Sequence, residues 1–524
     1  MRRSQFIAVF VLAVACILHA VGVLSYLLRE GRLAIVPIYD DVVYLIDALA
    51  RVAVFDRAGA VGYLADFYVH PAHAPFVALT GTLGFLLSAG ALWGPYLLSG
   101  VWVLFVLCLG LLVLRPFNLW IRVGILLSLL AVPIFGSILA EFRPDPVWGL
   151  LVGFSLAVMA STDLTVTGRR RLILLGLLFG MATIAKPTAA LASMAVLGLG
   201  LLVQLSLTVL LVPSVSRRSA LRVCGFVTLG GACLVVPYLI TNGAGIAAYV
   251  STVMGGESIW KTRASVWGHM SYYLKRDVGP LMLGWIWYAA LPVFAASFFV
   301  LVRVRDRKAL VAFATLMVAV LASYLIVTVS GVKSLLIGSI LYGTIVAATT
   351  WCLGQLATRV RLRARSVMAL ALVVLCLQWT PRAGMIHRAD PDMLATHVAN
   401  RAALPAVLDA LRTSAGASVL VSVPGPVYAG TLEFLTLQAG TKARFIAGYT
   451  WNQWSQFEQG VAQADVVVLS EAGMRGQALG FSFPSVQFQP RLLELLRGSR
   501  SFHGSPVYTD DSGRSVWVFK REPK

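Results

Sequence analysis

Asp40 and Asp41 stand side by side in Pro37-Ile38-Tyr39-Asp40-Asp41, just past the first long apolar run of the chain. Adjacent carboxylates repel, and nearby lipid raises the cost of ionising both. That can poise one of them as a general base, or let a divalent cation bridge the two. Solvated acids marking a helix N-terminus would have the same composition without the chemistry. Further on, His70-Pro71-Ala72-His73-Ala74-Pro75-Phe76 presents two imidazoles at i, i+3 as ligands or hydrogen-bond donors. Its prolines also suit a helix start. In Glu141-Phe142-Arg143-Pro144-Asp145-Pro146 the prolines hold the backbone extended, so Arg143 and Asp145 can project into one cavity. An ion pair between them is the plainer alternative. Lys186 and Lys333 are isolated cations beside apolar runs. Such charges can hold a phosphate or simply snorkel to the membrane surface.

The elements that must position these groups are membrane helices. Of 524 residues, 58% are hydrophobic and 13% charged, and the mean hydropathy is +0.82. A soluble domain carries about twice that charge. Runs such as Phe6–Leu28, Tyr96–Leu114 and Leu281–Val302 suffice to cross ~30 Å of hydrocarbon. The pattern predicts a polytopic α-helical membrane protein with about eleven spans: the first run, then 95–114, 123–140, 146–161, 172–186, 188–212, 222–240, 281–302, 309–329, 335–355 and 366–380. Residues 41–55, with Val42, Leu45, Ile46, Leu49 and Val52 at helical spacing, suit a helix lying in the interface. Residues 74–92 read as a re-entrant helix. A membrane region over 1–380 would carry two extracytoplasmic loops, 29–73 and 241–280, the second bearing Lys261 and Arg263.

Six basic breaks, at Arg2-Arg3, Arg115 to Arg122, Arg169 to Arg171, Arg217 to Arg222, Arg303 to Lys308 and Arg359 to Arg365, separate the apolar runs. Positive charge flanking membrane helices marks the cytoplasmic side. The N-terminus is then cytoplasmic, and Asp40, Asp41 and Asp145 face the other way. The net charge of +20 is accounted for by this orientation and by anionic lipid, which argues against nucleic acid as a partner. All six cysteines fall in apolar stretches without zinc-site spacing. From about 381 the composition turns soluble. Strand-like runs at Ser418–Val423, Ala443–Ala447 and Asp465–Leu469 alternate with helical stretches before a closing hairpin, which predicts a small α/β domain over 381–524, outside the cytoplasm.

In order, Tyr39-Asp40-Asp41 with Tyr44, a His-x-Pro-hydrophobic segment, Arg143-Pro144-Asp145, Lys186-Pro187 and Lys333 before a late span resemble the C-type glycosyltransferases (GT-C). They are similar in particular to the bacterial relatives of protein O-mannosyltransferases and of lipid A aminoarabinose transferases. There the pattern runs Tyr-Asp-Glu, His-Pro-Pro-Leu, Arg-Pro-Asp and Thr-Lys-Gly; here Asp41 replaces the Glu, and Ala185-Lys186-Pro187 the Thr-Lys-Gly. The likeness covers about residues 1–350. It implies a bacterial inner-membrane enzyme that moves a sugar from a polyprenyl-phosphate donor to an acceptor hydroxyl on a glycan, lipid or protein, with inversion. Asp40 would be the base, and Asp41 and Asp145 would orient the acceptor or a cation. Arg143, Lys186, Lys333, Lys261 and Arg263 would face the departing phosphate, with His70, His73 and Tyr44 as further substrate contacts. Metal dependence stays open, with Asp40 and Asp41 as candidate ligands. A lipid-linked glycan flippase, or a glycan-binding relative without activity, is the alternative.

Reporter fusions after residues 115, 170, 217, 305 and 362 should report cytoplasm, and fusions after 260 and 420 the opposite side. A cytoplasmic signal at 420 would overturn this topology.

Overall fold

The computed structural model describes residues 3–37, 40–70, 73–212, 215–254, 261–262, 264–360, 363–379, 391–412, 416–422, 427–441, 443–449, 451–471 and 483–522. The protein is a polytopic α-helical membrane protein with a small C-terminal α/β domain. Contacts divide it into two units, Met1–Tyr26 with Arg57–His387, and Leu27–Asp56 with Arg388–Lys524. The loop after the first span therefore groups with the C-terminal residues, a partnership that hydropathy does not announce.

Among the described residues, seven helices of the chain are long and apolar enough to cross a membrane. They are Phe6–Glu30, Trp93–Val113, Pro187–Leu211, Arg217–Ser251, Trp285–Val304, Arg307–Val329 and Ser339–Arg359. An eighth span forms if the pair Leu119–Leu129 and Pro133–Ala140 is counted as one; it bends by 60°. Pro133 explains the bend, because it has no N–H to give and its ring clashes with the preceding turn. Shorter apolar helices occupy Pro75–Leu87, Asp145–Ala160 and Ala364–Cys376. The 13 residues of Pro75–Leu87 rise about 20 Å, short of the hydrocarbon thickness. The chain then turns through Ala89 and Gly90, both at positive φ. Where sequence suggested a loop from 241, the helix instead runs from Arg217 to Met254 across Pro237. The helix continues through Gly243 and Gly245, which favour it little, into Ile246-Ala247-Ala248, and the Thr241 hydroxyl bonds back to the Pro237 carbonyl at 3.2 Å.

Close backbone approach sets the direction of the central helices. A Cβ on Gly149 would lie 2.0 Å from the Ser339 carbonyl oxygen, and one on Gly153 would lie 2.1 Å from that of Gly343. The matched four-residue steps mean that Asp145–Ala160 and Ser339–Arg359 run parallel, joined through small residues as membrane helices often are. Arg169–Ile184 and Arg217–Met254 are likewise parallel, with Ile173 facing Gly230 and Gly180 facing Gly231 and Leu234.

The C-terminal domain carries a five-stranded sheet: β1 (Ser418–Val421), β2 (Arg444–Ala447), β3 (Val466–Ser470), β4 (Phe502–Thr509) and β5 (Ser515–Arg521). The spatial order is β2-β1-β3-β5-β4. The first three strands are parallel, and β5 and β4 are antiparallel. Alternating side chains feed two cores. Val419, Val421, Val466, Val468, Val516 and Val518 pack with Leu404, Val407 and Leu432. Leu420, Val467, Leu469 and Phe519 pack with Phe457, Leu492 and Leu496 on the other face. Helices on both faces are what a largely parallel, two-sided apolar sheet requires. β1, β2 and β3 lie within a residue or two of their sequence positions, and β4 and β5 form the closing hairpin.

Gly149→Ala should lower the midpoint of thermal unfolding in detergent, since overpacking a tight crossing costs about 1–3 kcal/mol. Gly198→Ala, with nothing within 4 Å of its added Cβ, should leave the midpoint unchanged or raise it slightly.

Candidate functional site

In the membrane unit the charged groups gather at two ends of the bundle. At one end, Lys308 meets Asp163 at 2.7 Å and Arg359 meets Asp306 at 2.6 Å. Arg169 and Arg222 both lie over the Phe226 ring, at 5.5 and 5.7 Å, as the parallel packing of their helices demands. These are residues of the basic breaks. The opposite end holds Asp145 and Lys186. Asp145 starts its helix, where an acid complements the dipole, and it is 6% exposed. The Lys186 ammonium donates to its Oδ1 and also lies 5.2 Å from the Trp148 ring centre. Trp148 is fixed in turn by its indole N–H, which donates to Ser193 Oγ at 2.7 Å. Arg143 pairs with Glu141 at 3.6 Å and is close enough to act on the charge of Asp145. Of the two readings of Arg143 and Asp145, the direct ion pair is not what forms: Arg143 pairs with Glu141, and Lys186, from beyond another helix, pairs with Asp145.

Lys333 and Lys261 come from two loops that are stitched together. Lys261 forms an antiparallel bridge with Val332, and the Thr262 N–H donates to the Gly331 carbonyl at 3.0 Å. The Lys333 ammonium donates to the carbonyls of Val327 and Thr328 at 2.6 and 2.8 Å, so it caps the last turn of Arg307–Val329. It also sits 5.5 Å from the Tyr273 ring centre. Burial holds its pKa below the usual lysine range. The parallel crossing at Gly149 and Ser339 puts this loop at the Asp145 end. His73 packs edge-on against Tyr249 at 5.0 Å, while His70 contacts Asp66 at 3.0 Å; neither geometry is that of a ligand pair. Arg263 lies outside the described residues. An apolar groove of about 350 Å³ between the first helix and residues 84–104 is lined by Cys16, Leu97 and Leu104 among others, and by none of the candidate residues.

In the second unit the two adjacent aspartates have separate fates. Asp41 is 1% exposed, and its Oδ1 accepts from Arg32 at 3.1 Å. Asp40 begins the helix Asp40–Val69 and is exposed. Tyr44, one turn on, is half-buried. Tyr449 from the C-terminal domain lies within the field of Asp40: burial first, and the Asp40 charge second, push its phenol up from the ordinary tyrosine range. Its ring stands edge-on to Phe483 at 5.5 Å. Among the described residues, no group of three or more His, Cys, Asp or Glu side chains could hold a metal. Arg32 therefore neutralises Asp41, while Asp40 stands at the exposed start of the helix. Arg32 and Tyr449 carried no sequence signal, since no motif spacing links them to Asp40 and Asp41.

No protein-family model matches the chain, and no curated protein matches its sequence. Among solved structures it is similar to ArnT from Cupriavidus metallidurans in the apo state, with a TM-score of 0.61 and 15% identity over 100% of both chains. The same protein bound to undecaprenyl phosphate gives 0.60 and 14%, again over 100% of both chains. Arabinofuranosyltransferase AftD from Mycobacteria gives 0.53 and 13%, over 98% of this chain and 40% of that one. The chain therefore has the fold that its motif order resembles, that of the GT-C glycosyltransferases.

Lys186→Met would leave Asp145 buried without its cation, and breaking such a pair costs about 3–5 kcal/mol. Unfolding in detergent should show that loss, and adding Asp145→Asn should restore most of it. Equal instability of both variants would mean that the pair holds no buried charge in balance.

Proposed function

We propose that this protein is an inverting glycosyltransferase that moves a sugar from a polyprenyl-phosphate donor to an acceptor hydroxyl outside the cytoplasm. The observation that carries the reading is the pairing of a GT-C fold over the full length of ArnT with an accessible aspartate at the motif position, Asp40. A solved structure of ArnT holds undecaprenyl phosphate, which supports a polyprenyl-phosphate donor here. An enzyme built of membrane helices suits a donor whose tail lies in the bilayer.

In this reading the acceptor oxygen attacks the anomeric carbon while its proton passes to Asp40. The bond from that carbon to the donor phosphate breaks, and its electron pair leaves with the phosphate. Asp40 suits the base because it stands exposed at the start of its helix; Asp41, buried with Arg32, anchors the segment. Asp145 orients the acceptor. Arg143, Lys186, Lys333, Lys261 and Arg263 offer positive charge to the leaving phosphate, with Lys333 having one ammonium N–H beyond its two carbonyl bonds. His70, His73 and Tyr44 are further substrate contacts. The basic end of the bundle lies in the cytoplasm, the Asp145 end and residues 381–524 face outward, and the membrane is the bacterial inner membrane. Glycan, lipid and protein acceptors fit equally.

Envelope glycans of a deletion strain, read by mass spectrometry, should lack a sugar that the wild-type gene restores. In membranes supplied with the polyprenyl-phosphate sugar pool, Asp40→Ala should cut turnover by roughly 10²–10⁴, and Asp145→Ala should reduce it as well. Full turnover by Asp40→Ala would sink the assignment of the base.

A further inference from the structure

The segment that bears Asp40 is gripped by the C-terminal domain on both sides of the aspartate. Three residues before it, the carbonyl of Pro37 accepts a hydrogen bond from Thr431 Oγ1 at 2.7 Å. Thr431 is 2% exposed and sits in the first turn of the helix Ala429–Gln438. A helical threonine usually bonds back to the carbonyl one turn earlier, as Thr436 does to Leu432 at 2.8 Å. Thr431 instead spends its donor on a residue 394 positions away. Two residues after Asp40, Val42 is 2% exposed and packs where Gly430 lacks a side chain. A Cβ there would stand 2.8 Å from Val42 Cγ1. Val36 completes the grip by packing against the sheet core around Leu432.

We propose that the C-terminal domain is the part that holds the Asp40 segment in its working position, with Thr431 and Gly430 as positioning residues. The inference rests on the reading of Asp40 as the base. The energetics favour it: Pro37 already has its φ restricted, so pinning its carbonyl costs little further entropy. The domain is then part of the catalytic arrangement, whatever acceptor it also meets. Tyr449, near enough to feel the Asp40 charge, fits the same arrangement.

Two measurements on the full-length protein in detergent need no substrate. Gly430→Cys with Val42→Cys should form a disulfide on mild oxidation, because the two Cβ atoms would stand 3.7 Å apart, within the range of natural bridges. Peptide mapping separates this bond from the six native cysteines. Hydrogen exchange at residues 36–46 should rise in Thr431→Val and return to the wild-type level in Thr431→Ser. Absence of the bridge, or unchanged exchange in Thr431→Val, would overturn the proposal. In the transfer assay Thr431→Val should lower kcat about 10- to 100-fold with little change in donor KM, and Thr431→Ser should restore it. A wild type inert toward the sugar pool, with bridge and exchange as expected, would refute the transferase reading and leave the docking established.

Discussion

Hydrocarbon offers a charge no water, and the cost of placing an ion there governs how the membrane unit is arranged. Ion pairs and capped cations sit at the ends of the bundle, with Lys308–Asp163 and Arg359–Asp306 at one end and Asp145–Lys186 at the other. Glycine contacts at Gly149 and Gly343 bring two helices together with their starts at one level. That crossing, rather than any contact among the charged groups, is what delivers the Lys333 loop to the Asp145 end.

The same cost separates residues that look alike in sequence. Lys186 and Lys333 both read as lone cations. The first neutralises a buried carboxylate, whereas the second satisfies carbonyls left open at the end of a helix. Asp40 and Asp41 are neighbours in the chain, yet one is exposed while the other is enclosed with Arg32.

In the second unit, Leu27–Asp56 groups with the C-terminal residues, and Val36 packs against one of the two cores that flank the sheet. Thr431 adds a hydrogen bond to Pro37, and Gly430 leaves room for Val42.

The apolar runs, the basic breaks between them and the alternating strands were readable from the chain, because each rests on spacing between neighbours: a helix that must span lipid, or a strand with two faces. Asp40, Asp145 and the lysines stood out as candidates by residue type and order. The bend at Pro133, the continuation of the helix past Pro237, the Asp145–Lys186 pair and the grip of Thr431 on Pro37 were not readable in this way. They join residues from 41 to 394 positions apart, or hinge on how a proline is accommodated by its surroundings. Composition and periodicity decided which segments this protein would bury and where its charges could stand. Which charge meets which partner was left to the packing, because only the folded chain brings distant groups within hydrogen-bonding reach.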